Sequence, residues 1–159
     1  MTLETDSKKA LPGEVVKQLE AHLALYRTDP ERAHLWDSSI IGLRGGIVTT
    51  LLLQTSGRKS GEPRFVTLQY FKRNDRYIIA GTKGGVAEHP AWFLNLLAEP
   101  KCFVQVASHG FQAIARMPEG EERDALWESI SDEQPAYKKY QKITTRKIPV
   151  IVLEPAEQA

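Results

Sequence analysis

The chain has 159 residues, 42% of them hydrophobic and 26% charged, the size and composition of one globular domain that can bury its own core. Basic and acidic residues number 21 and 20, so the formal net charge of +1 indicates neither a globally basic nucleic-acid binder nor an acidic tail protein. The single cysteine, Cys102 in the strand-like run Cys-Phe-Val-Gln-Val, leaves no intrachain disulfide or cysteine metal cluster and reads as a core residue.

Residues 1–13 read as a leader ending at Pro12-Gly13, acidic where a signal peptide is basic and then apolar, so the expected location is the cytoplasm. No apolar run approaches the roughly 20 residues that cross a bilayer. From Glu14 to Tyr26, Val15, Val16, Leu19, Leu23 and Tyr26 recur at helical spacing and form one apolar stripe. The stripe is narrow and flanked by Lys17, Glu20 and Arg27, which suits packing on the rest of the fold, with contact at a membrane surface as the alternative. Thr28-Asp29-Pro30 is expected to stop the helix, and 31–46, with Gly42, Gly45 and Gly46, reads as a loop.

Beyond residue 46 the pattern turns to strands. Ile47 to Gln54 is a β-rich apolar run closed by the turn cluster 55–63, and Arg64 to Lys72 is the returning strand. Asn74-Asp75 marks a tight turn before Tyr77 to Ala80. A second glycine-rich loop, Thr82-Lys83-Gly84-Gly85, precedes a helix for which Pro90 suits the first position. Strands at about 101–107 and 111–116 meet in a hairpin near His109-Gly110, helices follow at about 120–131 and 135–143, and Ile148 to Leu153 is the last strand. Six mainly antiparallel strands with short helices inserted between them predict an α+β domain built as a split β-barrel over 47–155, preceded by an N-terminal region 1–46. No Gly-x-Gly-x-x-Gly or Walker spacing occurs.

Between Thr55 and Gly85 the basic residues Arg58, Lys59, Arg64, Lys72, Arg73, Arg76 and Lys83 face only Glu62 and Asp75, an excess of +5 in a chain of net +1. Both glycine-rich loops lie in this segment. Glycine lets backbone N–H groups approach an anion and Lys or Arg neutralises it, so the segment can cradle a phosphorylated or polycarboxylate ligand; ordinary solvated hairpin turns are the alternative. Tyr137 and Tyr140 share a helix face, and Trp92 and Tyr70 flank the two loops, either as walls for a planar ring or as core. The four histidines form no metal-ligand spacing, and Ser56 and Ser60 lack the nucleophile elbow, so neither a metal site nor a hydrolase is expected.

Thr55-Ser-Gly-Arg-Lys-Ser-Gly-Glu-Pro-Arg64, Tyr70-Phe, Thr82-Lys-Gly-Gly85, His89-Pro-Ala-Trp-Phe-Leu-Asn-Leu-Leu97, Pro135-Ala-Tyr-Lys-Lys-Tyr140 and Arg146-Lys-Ile-Pro-Val-Ile-Val-Leu-Glu-Pro155 follow one another over 47–155. This order resembles the deazaflavin-dependent nitroreductase and F420H2-dependent quinone reductase family. The resemblance implies a split β-barrel that binds coenzyme F420 and passes its hydride to a conjugated, apolar acceptor such as a quinone, enone or nitroarene. It implies that Arg58, Lys59 and Arg64 meet the phosphate and tail carboxylates. Thr82, Lys83, Gly84 and Gly85 would line the cofactor loop, Pro90, Trp92 and Asn95 flank it, and Tyr70 lie near the ring. Tyr137 and Tyr140 would face the substrate as the catalytic pair. Gln134 stands where nitroreductase-active relatives carry tyrosine. A flavin mononucleotide oxidoreductase and a non-catalytic ligand carrier on the same barrel are the alternatives, and nucleic-acid binding is not expected.

Overall fold

A computed structural model describes residues 13–38 and 46–156. In chain order they form α1 (Gly13–Thr28), α2 (Pro30–His34), β1 (Leu35–Asp37), β2 (Ile47–Ser56), β3 (Pro63–Gln69), β4 (Phe71–Arg73) and β5 (Arg76–Ala80). A 3-10 turn (Lys83–Gly85), α3 (Ala91–Ala98), β6 (Lys101–Val106), β7 (His109–Arg116), α4 (Gly120–Glu133), α5 (Ala136–Ile143) and β8 (Val150–Pro155) follow. The predicted leader up to Pro12 and the predicted glycines Gly42 and Gly45 lie outside the described residues.

All the strand pairs are antiparallel, running β2–β6–β7–β8–β5–β4, with β1 beside the start of β2 and β3 on its other edge. One residue, Tyr70, separates β3 from β4. Its N–H still bonds the Thr49 carbonyl at 3.1 Å, while the next residue, Phe71, already pairs with Ile78. Strand 63–73 therefore bends from β2 to β5, and the ladder of pairings returns on itself as a six-membered barrel. The predicted strand 64–72 is this bent strand. Asn74 and Asp75 both take positive φ, 50° and 64°, the turn that matches the twist of a two-residue hairpin.

Strand alternation divides the apolar residues into two cores. Leu51, Leu53, Val66, Tyr70, Ile79, Val104, Phe111, Ile151 and Leu153 point into the barrel, with Trp92, Phe93 and Leu96 of α3 packed on them. Phe71, Ile78, Val150 and Val152 point outward from β4, β5 and β8, under Ile130 and Trp127 of α4 and Tyr137 of α5. Helix α1 covers the β2–β3 side: Leu23 and Tyr26 are buried, and the Tyr26 hydroxyl donates to the Thr50 carbonyl at 2.7 Å.

Over residues 30–37 the reading of 31–46 as loop is corrected, while 39–45 lie outside the described residues. Pro30 starts a short helix because its missing N–H costs nothing in a first turn, and the Asp29 carboxylate accepts from the Arg32 N–H. Leu35–Asp37 then adds a strand to β2. Pro90 is the residue before α3 rather than its first, with extended ψ of 146°. The β6–β7 turn falls at Ala107-Ser108.

Candidate active site

The turn after β2 and the loop after β5 meet on one short helix. Asn95 of α3 is buried; its amide donates to Thr55 Oγ1 at 3.1 Å and accepts from both the Arg58 N–H (3.2 Å) and Arg58 Nη1 (3.0 Å). Five residues earlier in the chain, Pro90 packs on Gly81, where an added Cβ would lie 3.4 Å from Pro90 and 2.7 Å from Pro149. Five residues of helix span about 7–8 Å, so both loops are tethered close together. Asn95 is thus a brace for the first loop, a partnership with no local signal because Thr55 and Arg58 lie 40 and 37 residues away in the chain.

The first turn is tight. The Gly57 N–H bonds the Glu62 carbonyl at 2.8 Å, Arg64 reaches Ser60 Oγ at 3.5 Å and Glu62 at 4.0 Å, and Lys59 is exposed at its tip. In the second loop Thr82 is right-handed, while Lys83, Gly84 and Gly85 take φ of 42°, 63° and 82°. A right-handed residue followed by a left-handed one turns successive N–H groups toward a common point, an arrangement that receives anions. Gly85 is pressed against α5: a Cβ would stand 2.9 Å from the Tyr140 carbonyl oxygen, so no larger residue fits.

The structure separates the aromatic candidates. Trp92 is 2% exposed and Tyr137 5%; Tyr137 lies edge-on to Phe71 at 5.8 Å and stacks on Trp127 at 6.2 Å. Tyr140 shares that helix face, its ring 6.4 Å from Tyr137, and is only half-buried. Burial raises both phenols above their ordinary pKa, so they stay protonated near neutrality and each keeps an O–H to donate. The Tyr70 ring is inside the barrel, hydrogen-bonded to His34 Nε2 at 2.7 Å and edge-on to Tyr77 at 5.3 Å.

The outward side of β3 at that point is Gln69, whose Oε1 accepts from Gln134 Nε2 at 3.0 Å. This pair joins β3 to the α4–α5 corner. The basic segment also divides. Arg73 pairs with Glu133 at 2.9 Å and Arg76 with Glu154 at 3.5 Å, and Lys72 Nζ lies 5.6 Å over the Tyr77 ring, all on β4 and β5; the other four, Arg58, Lys59, Arg64 and Lys83, belong to the two glycine-rich turns and their flanks. Arg146, which the sequence marked only as part of a motif, lies under the second loop and bonds the carbonyls of Gly81, Thr82 and Val86 at 2.9–3.0 Å. Among the described residues no group of His, Cys, Asp and Glu could hold a metal.

The fold is an antiparallel split β-barrel with two cationic glycine-rich loops tethered to one helix. The chain belongs to the F420H(2)-dependent quinone reductase family, whose profile matches residues 26–155. It is 34% identical over 142 residues to an F420H(2)-dependent quinone reductase of Mycobacterium tuberculosis, covering 87% of this chain and 90% of that one. A solved F420-H2 dependent reductase (FDR-A) superposes with a TM-score of 0.61 at 38% identity, over 66% of this chain and 93% of that one. The heme storage protein HutZ of Vibrio cholerae shares the fold, with a TM-score of 0.55 at 15% identity over 69% and 82% of the two chains.

Proposed function

We propose that this protein is an oxidoreductase that uses reduced coenzyme F420 to reduce quinones and related conjugated, electron-poor acceptors. The observation that carries this reading is the convergence on α3 of two glycine-rich loops bearing Arg58, Lys59, Arg64 and Lys83, beside a backbone receptor at Thr82–Gly84. F420 has a phosphodiester and several tail carboxylates, and four cations spread over two loops fit that spacing better than they fit a single phosphate. When bound, the deazaflavin supplies a hydride.

The chain's own residues do the rest. Arg58, braced by Asn95, and Arg64 hold the phosphodiester, and Lys59 and Lys83 meet tail carboxylates. Pro90 and Trp92 act from beneath: Pro90 by seating Gly81 and Trp92 by anchoring α3 in the barrel. Gln69 on the outer side of β3 and the loop 82–85 would flank the ring, and Tyr140, packed beside that loop, would face the acceptor. There the Tyr140 phenol donates a hydrogen bond to the acceptor oxygen as charge develops on it, and Tyr137 holds Tyr140 in place from the core. Gln69 and Gln134 wall the acceptor end with amide groups. No helix of the described residues is long and apolar enough to cross a membrane. A cytoplasmic protein that meets lipophilic quinones at the membrane periphery fits this reading.

Titration of the purified protein with F420 and with flavin mononucleotide, followed by tryptophan quenching, tests the cofactor assignment. F420 should bind more tightly, and more weakly as its oligoglutamate tail is shortened or salt is raised. Equal affinity for all tail lengths at low salt would remove Lys59 and Lys83 from the tail, and preference for flavin mononucleotide would overturn the assignment.

A further inference from the structure

Arg146 follows α5 in the chain, and its backbone is pinned there by Gln141. The Gln141 amide donates to the Arg146 carbonyl at 2.7 Å and accepts from the Ile148 N–H at 2.9 Å. The guanidinium then reaches across to the loop after β5. Nε donates to the Val86 carbonyl at 2.9 Å, Nη1 to the Gly81 carbonyl at 3.0 Å and to His89 Nδ1 at 3.3 Å, and Nη2 to the Thr82 carbonyl at 2.9 Å. Among the described residues it meets carbonyls and one imidazole, and no carboxylate. Its charge is therefore not cancelled where it sits.

The consequence follows from peptide geometry. The described residues contain no cis peptide bond, and in a trans peptide the C=O of one residue points opposite to the N–H of the next. Drawing the Gly81 carbonyl onto Arg146 turns the Thr82 N–H away from it. Drawing in the Thr82 carbonyl does the same to the Lys83 N–H, and the Val86 carbonyl does so to the Ala87 N–H. These N–H groups face the side opposite the guanidinium, and two of them belong to the receptor formed by Thr82–Gly84. On the other flank, Gly85 is stopped by the Tyr140 backbone, so the loop cannot roll to relieve its left-handed residues. Of the three left-handed residues in succession, Lys83 is the one that is not glycine, and its conformation is costly in an isolated chain and needs such over-determination.

We propose that Arg146 is the positioning residue of the cofactor loop: its fork fixes three inward carbonyls, which sets the outward N–H groups at the spacing that receives an anionic oxygen of the ligand. It also supplies positive charge behind them. This rests on the reading of the loop as a cofactor site. Lysine in its place keeps the charge but, as a single point with three rotatable donors, cannot hold three carbonyls and an imidazole in one plane.

The test uses full-length wild type, Arg146→Lys and Arg146→Gln. F420 affinity is followed by tryptophan quenching, and amide hydrogen exchange is read over 82–87. A control variant, Arg116→Ala, breaks a guanidinium network with Glu122 and Glu154 that is separate from the loops. Both Arg146 variants should lose about tenfold or more in F420 affinity and exchange faster at 82–87, while KM for the quinone at saturating cofactor is unchanged. The control should keep F420 affinity even where its melting temperature falls. Arg146→Lys binding F420 within about twofold of wild type, with unchanged exchange, overturns the assignment and leaves the cofactor reading standing. Wild type that fails to bind F420 at all overturns the cofactor reading, and this one with it.

Discussion

Tyr137 and Tyr140 sit three residues apart on α5, yet the structure gives them different surroundings. Tyr137 is enclosed by Phe71 and Trp127, whereas Tyr140 is half-buried beside the glycine-rich loop. Their shared face was legible from spacing alone. Which of them is core was not, because Phe71 and Trp127 come from elements distant in the chain. Tyr140→Phe should lower turnover of a quinone by about tenfold or more, with F420 affinity nearly unchanged, since it removes one donor to a developing oxyanion. Tyr137→Phe should be tolerated in both, while Tyr137→Ala should destabilise the fold by about 3–5 kcal/mol. Steady-state rates measured beside melting temperatures check both; equal rates for wild type and Tyr140→Phe would take the hydroxyl out of the reaction. The Gln69–Gln134 bond was equally invisible, because neither residue has a local signal and the partners are 65 positions apart.

At the scale of elements, the strands with apolar runs and the turns with Gly, Asn and Asp were legible because their causes are local. The short α2 and β1 were not. Residues 30–37 gain their structure from β2, which supplies the ladder for β1, and from a buried knot with α1. In that knot His22 is 3% exposed and stacked on Trp36 at 4.5 Å. Nε2 donates to the Ala33 carbonyl at 2.9 Å as the neutral tautomer, and Nδ1 has no partner among the described residues. Burial lowers the His22 pKa, the Ala33 bond opposing it more weakly. The unfolded chain, with an ordinary value near 6.5, therefore binds more protons than the native state as pH falls, so stability declines with falling pH below about 6.5 until the native imidazole also titrates. His89 is depressed too, by burial and then by Arg146, and adds a slope of the same sign. Urea denaturation between pH 7.5 and 5 should show this decline, and His22→Gln should make it shallower. An unchanged slope in His22→Gln would mean that the knot does not carry the effect.

For the whole molecule, a net charge of +1 conceals a division of labour. The acidic helix α4 and the end of β8 take Arg73, Arg76 and Arg116 into ion pairs on one side, through Glu133, Glu154 and Glu122. The cations of the two loops are gathered around α3 on another. The sequence registered the +5 excess of the 55–85 segment, and the fold divides it between ion pairs with α4 and β8 and the two glycine-rich loops. The barrel itself was legible as six strands; its closure through the bend at Tyr70 was not, since that depends on β3 and β4 finding different partners. The central claim is that the cations of the two loops, with Tyr140 beside the second, serve hydride transfer from reduced F420 to a quinone. It is tested most directly by mixing F420H2 anaerobically with a soluble naphthoquinone and following the return of F420 fluorescence with and without the protein. The account predicts rapid reoxidation that needs both protein and quinone, saturates in each substrate and is not supported by reduced flavin mononucleotide in place of F420H2. Protein that binds F420H2 yet does not accelerate its oxidation by any quinone would contradict it.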